Sequence, residues 1–477
     1  MSDLTEGLIA LAGRSADIIP SRAVLFARLS LLDWMTCGIA GRNEPLAQKL
    51  RQLAQMEGGT GHSTIICGSA APARMAALAN GATSHALDYD DTHFAHVGHL
   101  SVGIYPAALA IAEQQDLSAA EVMTAFLLGA EGAIRVGMAL GRAHYNLGFH
   151  QTATAGAFGA TLAAGRLLGL NDVQMRHALG LCGTRASGMT SQFGSMGKPY
   201  NAGIAAANGV ECATLAHLGF TSADDGLLGH QGFVGAHIPS EARTDADAGA
   251  GMQGAGMQDA GMQDAGIQDA GMQDAGMDDY LFPDNKYKLH ACCHGLHPMI
   301  EALLAAHQMS GVTFDEISAF ILETNPRWLA VCDIKAPRTG LEVKFSYNWL
   351  AGMTLRGDNT GDDRLYQDAL AGDEELRAFA NRITVIGNDA LTDLQARGSL
   401  TMRDGSSLPI WFDLADPLAE DVIIAKLRAK SDTIIGEASA AIWDLYPRLQ
   451  DLGARDIGHA LSVGAGGTGR AKLRATS

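Results

Sequence analysis

Aromatic side chains make up only 6% of the 477 residues, and charged side chains only 18%. A sandwich or barrel draws heavily on aromatic residues, so their scarcity beside 57 glycines and abundant alanine points to closely packed helices. Positive charge is also short. Lys and Arg total 34 against 52 Asp and Glu, a net charge of −18. That balance excludes a general nucleic-acid-binding surface and repels anionic lipid. An anionic ligand would need a local cluster of cations. The seven cysteines form no CxxC pair, and their number is odd. A disulfide framework and a zinc ribbon are therefore not expected, and a reducing, cytoplasmic setting is. The stretch from Met1 to Ile19 carries Asp3 and Glu6 and no basic n-region, so it does not read as a signal peptide. No apolar run reads as long enough to cross a bilayer without polar interruption. Apolar residues, in contrast, are plentiful at 47%, enough for the cores of two or three domains.

The first half reads as helix after helix. Pro20-Ser21 precedes Val24, Leu25, Leu29, Leu32 and Met35 at helical spacing. Ser118 with Glu121, and Asn171 with Gln174, form capping boxes. The segments Thr152 to Leu168 and Asn201 to Phe220 are rich in Ala and Gly, as central helices in close approach would be. Between Met257 and Ala275 the unit Gly-Met-Gln-Asp-Ala recurs, with Ile267 in place of one Met. Gly and Asp every fifth residue oppose helix and strand alike, so residues 246–279 read as a flexible surface insertion. Beyond it the pattern mixes. His297 to His307 is helical, and Ile317 to Glu323, Ile383 to Ile386 and Ser399 to Met402 read as strands. Asp404-Gly405 turns into a return strand with Leu408, Ile410 and Phe412, and Pro409 makes that strand an edge. Val422 to Leu449 returns to helix, and Gly464 to Ser477 reads as a frayed tail. The expected fold is mainly α. A large all-helical domain (1–245 and 416–477) accompanies a smaller α+β lid domain (280–415).

Chemistry concentrates in four places. Ser84 to His99 holds three carboxylates (Asp88, Asp90, Asp91) and four histidines (His85, His93, His96, His99). Charged groups are buried only when paired, so core packing does not account for this cluster. Histidine takes and gives protons near neutral pH, and a carboxylate can orient its ring. A metal site on His93, His96 and His99 is the competing reading, although the spacing is not HExxH. Gly148-Phe149-His150 precedes a small-residue helix. Gly197-Lys198-Pro199 is no P-loop, and Pro199 is expected to hold Lys198 extended as a carboxylate ligand. Lys286 to Pro298 gathers Lys288, Cys292, Cys293 and three histidines. Arg338 and Lys344 are expected to face the same cleft.

In this order the motifs Asp88-Tyr89-Asp90-Asp91-Thr92-His93 with His99, Gly148-Phe149-His150, Gly197-Lys198-Pro199, Lys288 with Cys292-Cys293 and His297-Pro298, and Thr339-Gly340-Leu341-Glu342 with Lys344-Phe345-Ser346 resemble the MmgE/PrpD family, from about residue 5 to about 450. That family includes 2-methylcitrate dehydratase, cis-aconitate decarboxylase and iminodisuccinate epimerase. The resemblance implies a homodimer and catalysis with neither metal nor organic cofactor, in a site between the two domains. It places Asp88, His99, His150, Lys198 and Lys288 in catalytic positions and Thr92 and Cys293 in contact with substrate. Cys293 stands where the decarboxylase carries a histidine, and Leu100 where many relatives carry proline. The expected activity is that of a lyase on a small di- or tricarboxylate, nearest to 2-methylcitrate dehydration. In that scheme one of His99 and His150 is the base and the other the acid, and Asp88 orients a histidine or Thr92. Epimerase and decarboxylase chemistry are the alternatives within the family. Outside it stand a metal-dependent hydrolase and a non-catalytic binding protein.

Overall fold

The computed structural model describes residues 2–238 and 276–463. The pentapeptide repeat and the tail 464–477 lie outside the described residues. The chain divides into two compact units. One comprises residues 2–86, 94–238 and 437–463, and the other residues 87–93 and 276–436.

The first unit is all helix: α1 (Ser2–Ala12), α2 (Ser21–Gly41), α3 (Pro45–Glu57), α4 (Ala73–Ser84), α5 (Ser101–Gln115), α6 (Ala119–Asn146), α7 (Gln151–Leu167), α8 (Asp172–Arg185), α9 (Gly197–His217) and the short α10 (Phe233–His237). Both capping boxes form, at Ser118 and at Asn171. Helix α7 is buried along nearly its whole length. Its small residues are what permit this. A Cβ on Gly159 would lie 2.6 Å from the carbonyl oxygen of Gly129 in α6, and one on Gly209 of α9 would lie 2.4 Å from the Ala160 side chain. The Ala/Gly richness thus lets three backbones approach within side-chain-free distance. Contrary to the sequence expectation, α2 and α6 are long and apolar enough to cross a membrane by length and composition. Here 78% and 83% of their apolar windows are buried inside the fold.

The second unit holds α11 (His297–Ser310), α12 (Pro326–Cys332), α13 (Gly340–Val343), α14 (Tyr347–Arg356), α15 (Asp368–Ala371), α16 (Glu374–Ala380) and α17 (Glu420–Ile435). Its strands are β1 (Ile317–Thr324), β2 (Ile383–Gly387), β3 (Gln395–Met402) and β4 (Ser407–Asp413). The sheet order is β2-β1-β3-β4. β1 runs parallel to β2 and antiparallel to β3, which pairs antiparallel with β4. β4 is an edge strand, as β2 is at the other side, and Pro409 sits opposite Ser399. Ile317, Phe320, Leu322, Leu400 and Ile410 point into the core, while Ile321 and Trp411 lie on the exposed side. The mainly α fold with a small α+β unit is as the composition implied.

The boundaries differ from those read in the sequence. The chain re-enters the first unit at 437, where α18 (Ala438–Trp443) and α19 (Ala454–Val463) follow, and not at 416. Helix α17 is tied to the second unit by the polar contacts of two lysines, the half-buried Lys426 and the buried Lys430. Lys426 grips both carboxylate oxygens of Glu301 in α11 at 2.8 Å, and Lys430 donates to the Tyr89 carbonyl at 2.7 Å. Residues 87–93 also belong to the second unit. Thr92 and Lys286 exchange both backbone hydrogen bonds at 2.8 Å, so this segment is laced to a stretch almost two hundred residues away.

Candidate functional site

In the first unit, His150 is the N-cap of α7 and is buried. Its N–H donates to the Gly188 carbonyl at 3.0 Å, and its own carbonyl receives the Ala153 and Thr154 N–H groups at 2.8 and 3.0 Å. The backbone of the ring is therefore fixed from both sides. His99 reaches the same place by another route. Its N–H donates to Thr152 Oγ1 at 3.0 Å, two residues into α7. The turn before it is tight. Val97 adopts φ 57°, a left-handed conformation that costs a β-branched residue about 1–3 kcal/mol. A Cβ on Gly98 would fall 2.8 Å from the Thr152 nitrogen. His85, at the end of α4, completes the group. Its ring centroid lies 4.5 Å from that of His99 and 6.2 Å from that of His150.

Asn201 of α9 sets the state of His150. Its Nδ2 donates to the Met189 carbonyl at 3.1 Å and lies 3.2 Å from His150 Nδ1. A carbonyl can only accept, so that corner of the amide is the nitrogen, and its second hydrogen is directed to Nδ1. Nδ1 must then carry a lone pair, and the proton of the neutral ring sits on Nε2. Phe193 closes the ring's edge at 5.0 Å, and Lys198 Nζ lies 5.0 Å from the Phe193 centroid. Lys198 is helical, the second residue of α9, and not held extended. Pro199 falls in the first turn, where its missing N–H has no carbonyl to serve.

In the second unit, Lys288 is 3% exposed. Its ammonium donates to the Asp88 carbonyl at 2.7 Å and to the Asp88 carboxylate at 3.0 Å. Burial alone would favour the neutral amine. The Asp88 carboxylate, with Asp90 behind it, outweighs that effect and holds the pKa above the usual lysine value. Asp88 itself adopts φ 53°, a conformation that brings its carbonyl and its carboxylate to one ammonium. Asp91 accepts from Asn285 Nδ2 at 2.7 Å, and Thr92 Oγ1 lies 2.7 Å from His294 Nδ1. Within this unit Asp88 therefore serves Lys288, and the Thr92 hydroxyl is oriented by His294. Cys293 is partly exposed, with its free thiol in hydrogen-bonding contact with that of Cys332 and Lys288 nearby. Its pKa falls to about 7. Cys292 is buried, and burial pushes its thiol well above the ordinary thiol range.

Several sequence readings are corrected. Arg338 is exposed and paired with Glu342 at 2.9 Å, and Lys344 is paired with Asp363, so each spends its charge on a neighbouring acid. The three histidines proposed as metal ligands do not act as a set. His93 Nε2 faces the Leu281 carbonyl at 3.0 Å and His96 Nδ1 the Ala133 carbonyl at 3.1 Å, so each donates from that nitrogen. Asn201 and Phe193 are site residues that the sequence does not single out, and His294, one of the three histidines of the Lys286 to Pro298 cluster, meets Thr92. Asn201 and Phe193 have no motif of their own and are identified only by what they touch.

Family models for the MmgE/PrpD N-terminal domain and the MmgE/PrpD C-terminal domain match residues 11–244 and 290–446. The chain belongs to the MmgE/PrpD family. Among its curated relatives, a cis-aconitate decarboxylase of Aspergillus terreus is 34% identical over 214 residues, covering 43% of this chain and 44% of the relative. A cis-aconitate decarboxylase of Homo sapiens is 27% identical over 228 residues, covering 46% and 47%. The match thus spans less than half the length of these MmgE/PrpD relatives.

Two buried histidines are expected to make this MmgE/PrpD chain acid-sensitive. Burial drives both His93 and His144 down to a pKa of about 4. A neutral histidine in the fold that charges in the unfolded chain adds stability that is complete above the ordinary pKa of 6.5 and is lost as pH falls toward 4. Each shift corresponds to about 3 kcal/mol. The unfolding midpoint in urea is expected to fall between pH 6.5 and 4, and His144→Gln is expected to flatten that fall. The fall is less than the two histidines alone would give, because burial holds Glu113 up at about 7 and its protonation works the other way. A midpoint independent of pH over this range would contradict the assignment.

Proposed function

We propose that this protein is a lyase acting on a small di- or tricarboxylate through proton transfer at carbon, with neither metal nor organic cofactor. The observation that carries the reading is the state of His150. In the tautomer that Asn201 favours, Nε2 carries the proton, the donor form that stabilisation of a developing oxyanion requires. That tautomer suits His150 to donate rather than to act as base, because a basic Nε2 would need a proton on Nδ1, facing the Asn201 N–H. His99 is then the proton-transfer residue. Lys288 and Lys198 would bind carboxylates, offsetting the repulsion expected from the net charge of −18. Thr92 and Cys293 would contact the substrate.

The relatives named cis-aconitate decarboxylase favour loss of carbon dioxide as the first reaction to test. In such a step the bond from carbon to a carboxylate breaks and its electron pair stays on carbon, delocalised into the neighbouring unsaturated carboxylate. A proton from His99 then closes the new carbon–hydrogen bond. Dehydration of a 2-methylcitrate-like substrate uses the same groups in another order. There His99 removes the proton α to a carboxylate, and the hydroxyl leaves with a proton. A homodimer and a reducing, cytoplasmic setting belong to the same proposal.

The test is proton NMR of chelator-treated enzyme in deuterated water with cis-aconitate, 2-methylcitrate, citrate and iminodisuccinate. Terminal methylene signals with deuterium uptake from cis-aconitate are expected for decarboxylation. New olefinic signals from 2-methylcitrate would move the assignment to dehydration. Four unchanged spectra, with turnover appearing only after metal is restored, would end this reading.

A further inference from the structure

Three cysteines of the second unit have no part in the proposed reaction beyond a substrate contact by Cys293, yet two of their thiols meet. Cys332 closes α12 and is wholly buried, and its thiol is in hydrogen-bonding contact with that of Cys293. The backbone holds the pair together. The Cys293 N–H donates to the Lys344 carbonyl at 3.0 Å. Ile334 N–H donates to the Phe345 carbonyl at 3.2 Å, and Asp333 bridges to Ser346. The segment 344–346 thus anchors both cysteines from one side. Cys293 opens a 3-10 turn, His294–Leu296, rather than lying inside a long helix, so its sulfur can move without breaking an extended ladder. Cys293 is also the partly exposed member, while Cys332 is hidden behind it.

We propose that Cys293 and Cys332 form a dithiol modification site, which a hydroperoxide converts to a disulfide. The Cys293 thiolate attacks one peroxide oxygen, the O–O bond breaks, and the other oxygen leaves as alcohol or water. This yields a sulfenic acid on Cys293. The Cys332 sulfur then attacks that sulfur, the S–O bond breaks, and water leaves with the Cys332 proton. Two thiols and one hydroperoxide become one disulfide, one alcohol and one water. The sulfurs lose two electrons and the peroxide gains them. The sulfur–sulfur separation must shorten to about 2.05 Å. Two features make Cys293 the attacking sulfur. It is reachable, and the Cys332 thiol and the Lys288 ammonium bring its pKa to about 7, so half is thiolate at neutral pH.

A second touching pair supplies an internal control. Cys182 in α8 and Cys212 in α9 also meet, but both are fully buried and the Cys212 thiol is pushed far up by its neighbour and by burial. The experiment treats the full-length protein with one equivalent of hydrogen peroxide, followed by unreduced peptide mapping and thiol titration. The expected result is loss of two thiols, a cross-linked peptide joining Cys293 to Cys332, full reversal by dithiothreitol, and an unmodified Cys182–Cys212 pair. Cys332→Ser should lose one thiol and leave a Cys293 sulfenic acid that dimedone captures. Should that variant fail to fold, the rate of thiol loss in the unsubstituted protein decides instead. It should rise about tenfold from pH 6 to 8 with a midpoint near 7. A Cys292–Cys293 cross-link, equal oxidation of Cys182 and Cys212, or intact thiols at Cys293 and Cys332 would overturn the proposal.

Discussion

Lys288→Met is expected to lower kcat/KM by about a thousandfold, the order of effect seen when a preorganised stabiliser of developing negative charge is removed. The side chain is almost fully buried, so water cannot take its place. Its charge is retained because Asp88 offers both a carbonyl and a carboxylate. Met matches the length and removes the charge. The substitution also leaves Asp88 without its donor, and stability should fall by about 1–3 kcal/mol. Two variants separate these effects. Asp88→Asn removes the carboxylate charge left without its partner, so a Lys288→Met, Asp88→Asn double variant should recover most of the stability lost in Lys288→Met. It should not recover turnover. Lys288→Arg keeps the charge but brings a planar fork where a compact ammonium sits, so it should also be impaired. Turnover of Lys288→Met within threefold of the unsubstituted enzyme would remove Lys288 from the chemistry.

Why some of this was visible in the sequence and some was not follows from the range of each interaction. The capping boxes at Ser118 and Asn171 and the Asp404-Gly405 turn are local, and each formed as read. The small residues of α7 announced close packing, because only a helix pressed by others on several sides needs so few side chains. The sheet order was not legible. β1 pairs with β2 across more than sixty residues, and β3 then inserts on its other edge, a choice made by tertiary contacts. The assignment of residues 87–93 to the second unit was hidden for the same reason. The Thr92–Lys286 bridge has no local signature. Lys198 was misjudged because the residue before a proline usually avoids the helical region. Here the proline lies in the first turn of α9, and the helix starts regardless. The candidate catalytic side chains were legible because their types are rare together. Their supports were not, because Asn201 is an ordinary asparagine until its two hydrogens are followed to Met189 and His150.

Those two hydrogens make the second large prediction. Asn201→Asp replaces a donor with an acceptor of the same shape. A carboxylate cannot donate to His150 Nδ1, and it attracts a proton there instead. The ring would then hold Nδ1–H and present a bare Nε2, the reverse of the arrangement proposed for catalysis. The expected loss in kcat is about a hundred- to thousandfold with KM moved far less, because the substrate still meets a ring of the same size and place. Nitrogen NMR of the imidazole gives a readout that a merely structural role would leave alone. The unsubstituted protein should show the proton on Nε2, and the variant should show it on Nδ1. Asn201 is a positioning residue in this account, acting only through His150. The two substitutions therefore should not add. His150→Ala alone should cost about a thousandfold, and His150→Ala with Asn201→Asp should be no slower than that. A double variant slower by the product of the two single effects would mean that Asn201 acts on something other than His150. A proton found on Nδ1 in the unsubstituted protein would make His150 a base after all and return His99 to the role of acid.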